Sequence, residues 1–202
     1  MNDDRGIEDP SESLHQFVQS LFKESDRGCV LIFASRLDES LEDLHRAYIK
    51  STVAASRKLL DRLFATHAPL STFAARIQLA HCYGLVSKAD YQDLETLRQL
   101  RNAAAHSSTD FSFRSSETQK HVLSITAPKR PHTFPGIRSL LTQEESDALE
   151  KPSDHEEGVK LYFLLAGMFL LASLLFRTLQ SQWTHPVPIV TTALPRNDSR
   201  KP

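Results

Sequence analysis

The feature that most constrains the fold is LYFLLAGMFLLASLLF, residues 161–176, a run of sixteen residues without a charge, bounded by Lys160 and Arg177. A helix rises about 1.5 Å per residue, so the run covers roughly 24 Å against a hydrocarbon core of about 30 Å. It is short for a membrane span. A helix that is apolar all round has to be buried in something, and the run is therefore expected to be the central helix of a core or of a dimer interface.

Other helices are legible around it. After Pro10, Leu14, Phe17, Val18, Leu21 and Phe22 recur at spacings of three and four, a helical stripe. Gly28 separates it from a long helix from Cys29 to about Lys50, in which Val30, Ile32, Phe33, Leu37, Leu41, Leu44 and Tyr48 continue the 3.6 period and Asp38, Glu39, Glu42, Asp43 and Arg46 occupy much of the remaining surface. STVAASRKLLDRLFA and LSTFAARIQLAHCYGL read as two more, the second closed by Gly84 in a position suited to a helix C-cap. Ser87, with Asp90 three residues on, opens a helix that runs to His106. Residues 107–154 carry Pro128, Pro131, Pro135 and Pro152 and read as a long irregular connection with a short helix near SLLTQEESDAL. FSFR and HVLSITA leave a strand pair open there. The last helix is expected from about Asp154 to Trp183.

The fold class that follows is all-α, a bundle of about five to six helices with a long irregular insertion before the last one. Residues 1–10 read as a disordered leader, 11–183 as a single helical domain and 184–202 as a Pro-rich flexible tail.

With 40% apolar residues in 202, the chain has material for a core, and disorder throughout is excluded. Its 24 Lys plus Arg against 25 Asp plus Glu leave a formal charge of −1, which argues against a dedicated duplex binder. Cys29 and Cys82 lie far apart without a metal-ligand spacing and read as two buried, reduced thiols. The opening MNDDRGIEDPSES is polar and acidic, unlike a secretory signal, so a cytoplasmic protein with no membrane attachment is expected. Nucleotide-binding glycine loops, HExxH and GxSxG are missing, and the nine histidines form no ligand cluster. No cofactor and no metal is expected.

One stretch carries candidate chemistry: LRQLRNAAAH, residues 97–106. Residues four apart on a helix stand one above the other, so Arg98, Asn102 and His106 form one polar row, with Arg101 on the neighbouring row. Ala103, Ala104 and Ala105 keep the surface low. Arginine offers a fixed fork of donors for phosphate, and a histidine with an ordinary pKa near 6.5 exchanges protons at cellular pH. His106 could act on a ribose hydroxyl or leaving oxygen, Arg101 could stabilise the charge on phosphorus and Asn102 could orient the histidine, with Arg98 binding beside them. The same letters also suit a helix end that caps its own carbonyls and dipole.

The span FAARIQLAHCYGLVSKADYQDLETLRQLRNAAAH, residues 73–106, resembles the mannitol operon repressor (MtlR-like) family. In that family a helix ending in a Gly-Leu turn precedes a tyrosine-bearing helix ending in an Arg and His motif. RNAAAH is also similar to the Rx4-6H signature of the HEPN helical superfamily, matched by Arg101, Asn102 and His106. The first resemblance implies a negative regulator of transcription, such as that of a sugar operon. No basic recognition helix is present, so its DNA contact would come through a protein partner or transcription factor. The second implies metal-independent RNA cleavage in a cleft formed by a homodimer, or a catalytically silent HEPN-fold binding module.

Overall fold

The computed structural model describes residues 17, 20–52, 56–107, 111–130, 142–154 and 157–183. Over these the chain forms seven α-helices: α1 (Asp26–Thr52), α2 (Arg57–Phe64), α3 (Phe73–Cys82), α4 (Lys88–His106), α5 (Ser116–Ser124), α6 (Gln143–Glu150) and α7 (Gly158–Trp183). Two 3-10 turns, Ala127–Lys129 and Pro152–Asp154, complete the list, and Phe17 and Ser20–Phe22 are also helical. No strand occurs among the described residues. The expected leader and tail, and most of the helix expected after Pro10, lie outside them.

The uncharged run becomes the centre of the bundle. Tyr162, Phe163, Leu164, Ala166, Phe169 and Leu170 of α7 are buried, and α7 packs most extensively against α1. Each of the buried leucines and phenylalanines contributes about 1.5–3 kcal/mol by leaving water. By length and composition α7 would pass for a membrane span, but 67% of its most apolar window is buried inside the protein, which makes it a core helix. Gly167 permits the close approach to α1, since a Cβ there would lie 2.5 Å from the Phe33 ring. Phe33 in turn meets Phe163 edge-on at 6.0 Å between centroids.

Local signals set the helix ends. Ser87 and Asp90 form the expected capping box. At the end of α3, Leu85 N–H donates to Ala80 O at 2.8 Å, and Gly84 takes a φ of +69°, where a side chain would be strained.

The segment before α7 is more helical than its sequence suggests. α6 overlaps SLLTQEESDAL, where a short helix is expected, and ends one residue beyond it, but α5 takes up part of HVLSITA in place of a strand pair. Ser115 Oγ caps the Thr118 N–H at 3.2 Å, and Thr118 and Val122, four apart, are buried on one face. A cap with inward residues at helical spacing outweighs a short alternation. One of the two thiols also differs from expectation. Cys29 is buried, and desolvation pushes its thiol up to about 12, whereas Cys82, the last residue of α3, is exposed.

Candidate functional site

The nineteen residues of α4 carry the candidate site. Leu94, Leu97, Leu100 and Ala104 turn into the core, which fixes the opposite rows outward. The alanine run therefore divides: Ala104 is core, while Ala103 and Ala105 are exposed.

Arg98, Arg101 and Asn102 line one side of an open cleft of about 360 Å³, faced by Ala34, Ser35 and Asp38 of α1 and by Ser71 to Ala74 at the start of α3. Arg98 is half-buried and forks onto Glu95 of its own helix, at 3.1 and 2.9 Å. Arg101 is exposed, and its Nη1 donates to Asn102 Oδ1 at 3.3 Å. Asn102 thus turns toward the arginine. His106 is exposed at the last position of α4, one turn beyond the cleft lining. A single chain brings Arg98, Arg101 and Asn102 together and leaves His106 outside their cleft.

Asp38, across the cleft, accepts from Arg76 Nη1 at 2.7 Å. Burial raises its carboxyl above the usual range, against Arg76 and the more distant charge of Arg101. Arg76 itself is buried, bridging Asp38 and Glu42 and donating from Nε to Leu70 O at 2.9 Å. His45 Nε2–H donates to the Arg76 carbonyl at 2.9 Å, and its Nδ1 is buried without a partner. Burial holds the His45 pKa below its ordinary value. Sequence reading missed this cluster. Its signal is a lone arginine inside the apolar FAARIQL, with two acids one turn apart on α1.

The other end of α4 is locked. Arg130 donates to Asp90 Oδ1 at 2.5 Å and to Asp93 Oδ2 at 2.6 Å. Arg177 of α7 reaches Asp90 Oδ2 at 3.2 Å, and the Thr126 N–H bonds Asp93 Oδ1 at 2.9 Å. Burial alone would raise the Asp90 carboxyl, but Arg130, Ser87 and Arg177 hold it below the usual carboxylate range. No group of three or more potential metal ligands occurs among the described residues.

The fold and site together define an all-helical domain with an ion-locked interior and a polar, open helix end beside a cleft. The mannitol repressor (MtlR) family matches residues 23–150, and the chain belongs to that family. Its fold is similar to that of a chain in the X-ray structure of the MtlR–HPr complex from Escherichia coli. The TM-score is 0.61 at 17% identity, over 80% of this chain and 97% of that one. At that identity the likeness establishes the fold. No curated protein matches the sequence.

Proposed function

We propose that this chain is a negative regulator of transcription, of a sugar operon such as that for mannitol, which acts through contacts with other proteins. The carrying observation is its membership of the mannitol repressor family over residues 23–150. The similar fold solved in a complex with HPr supports a protein partner, and HPr is the first partner to test. The near-zero charge agrees with a regulator whose DNA contact is made by its partner. The open end of α4, with Arg101 and Asn102 over their cleft, is a contact surface in this reading. Deleting the gene is expected to change transcript levels of the target operon, and the purified chain to retain HPr on a column. An unchanged transcriptome with no retained HPr or transcription factor would overturn the reading.

A second reading, a HEPN-type metal-independent endoribonuclease, is favoured by one observation: Arg101 and His106 are both exposed on the same helix end. Two such ends across a two-fold axis would combine the Arg101 and Asn102 of one copy with the His106 of the other. Cellular RNA incubated with the protein in EDTA should then yield fragments that disappear in His106→Ala. An intact RNA pool removes this reading and leaves the regulator or a silent HEPN-fold binding module.

A further inference from the structure

The arginines of this chain are almost all engaged. Among the described residues, Arg57 and Arg62 hold neither an ion pair nor a hydrogen bond, while every other arginine holds at least one. Both lie on α2, one helix of eight residues, and Lys58 between them and Lys50 at the end of α1 are unpaired as well.

The helix packs lightly on the bundle but is anchored at specific points. Leu60 is buried on the underside of α2, and Arg46 lies 4.3 Å from the centroid of the Phe64 ring while donating to Asp61 Oδ1 at 3.0 Å. Ser56 Oγ caps the Leu59 N–H at 3.3 Å, and the Leu70 N–H returns to Leu63 O at 3.0 Å. The helix is fixed on one side and unengaged on the other. Lys58 and Arg62, four apart, form its outward row. Leu59 stands beside them, 48% exposed. Between α1 and α2 an open cleft of about 510 Å³ is lined by Arg46, Lys50, Arg57, Leu60 and Asp61.

We propose that the outer face of α2 is a docking surface for an acidic protein segment that carries an apolar side chain. Its carboxylates pair with Arg57, Lys58, Arg62 and Lys50, and its apolar group covers Leu59. Unpaired arginines lose little rotamer freedom per bond formed and take carboxylates in a fixed fork, which suits them to an interface. A protein fits better than a nucleic acid, because a row of phosphates has nothing apolar to cover Leu59. The proposal rests on the reading of the chain as a regulator that works through protein contacts, and names the surface and the charge of the partner.

The test uses the full chain and a fluorescent synthetic peptide rich in glutamate and leucine, with anisotropy as the readout. The peptide is expected to bind, with affinity falling as salt rises, and Arg57→Gln/Arg62→Gln to bind it roughly tenfold more weakly while keeping the wild-type circular dichroism. A peptide with glutamine for glutamate is expected not to bind, and Leu59→Ser to bind the acidic peptide less well. Lys88→Gln/Lys120→Gln, which removes two exposed cations elsewhere, is expected to leave binding unchanged. Equal binding by the α2 variant, or an equal loss in the Lys88/Lys120 variant, would overturn the proposal. So would tighter α2-dependent binding of an RNA oligomer or of phosphatidylglycerol vesicles. Operon expression in a deletion strain plays no part in this assay, so the regulatory reading and the docking surface fail on separate results.

Discussion

The two halves of α4 treat charge in opposite ways. At its start Asp90 and Asp93 are buried and held by Arg130, Arg177, Ser87 and Thr126. At its end Arg101 and His106 are exposed, and Arg101 makes one long hydrogen bond to its neighbour. A buried carboxylate with its bonding capacity filled by protein is architecture, because losing a partner leaves a desolvated charge. An exposed arginine with one weak bond costs little to leave as it is, and it remains available to a ligand or a second chain. The same helix therefore anchors the fold at one end and presents polar groups at the other.

The sharpest way to break this contrast is at the locked half. Arg130→Ala removes the partner shared by Asp90 and Asp93, and is expected to cost about 3–5 kcal/mol in urea unfolding, as for a broken buried ion pair. An effect near zero would mean that the junction holds nothing together. Gly167→Ala is expected to cost about 1–3 kcal/mol, because the Cβ meets the ring of Phe33 inside a packed core. A tolerated Gly167→Leu would contradict the close α1–α7 approach.

The His45 contact gives a pH signature. Its folded pKa lies below 6.5 because of burial, so the unfolded chain binds its proton first as pH falls. The stability from neutral, buried His45 is present above about pH 6.5 and is lost progressively below it. His45→Gln, which can keep a donor near the Arg76 carbonyl, is expected to flatten the slope of stability between about pH 7 and 5. An unchanged slope would assign it to other groups. The smallest expected effect is at the open half: Arg101→Ala should change stability by about 0.5 kcal/mol or less while altering whatever α4 contacts.

Most of the helices are legible because their information is local. Leu94, Leu97, Leu100 and Ala104 follow a 3.6-residue period, and Ser87 and Asp90 announce the start of their helix within four residues. The uncharged run of α7 reads as core for the same reason. What escapes a linear reading is pairing across the fold. Arg130 sits in a proline-rich stretch that resembles a solvated loop, yet it reaches Asp90 and Asp93 some forty residues away in sequence. Arg76 likewise interrupts an apolar run, and Asp38 and Glu42, the acids that make it a buried residue, belong to another helix. At the candidate site the residue types were readable and their grouping only partly so. The row Arg98, Asn102 and His106 follows from helix geometry, but the cleft is built by α1 and α3, and it includes the first two and not the third.

We propose that this member of the mannitol repressor family works by contact at its surface and not by cutting RNA. The most direct test of this claim is a transcriptome with mapped RNA ends from cells that lack the chain, complemented by the wild type or by His106→Ala. The expected result is an operon whose transcript level changes on deletion and is restored by both chains, with the same RNA ends throughout. Unchanged transcript levels, or RNA ends that appear with the wild type and vanish with His106→Ala, would contradict the claim.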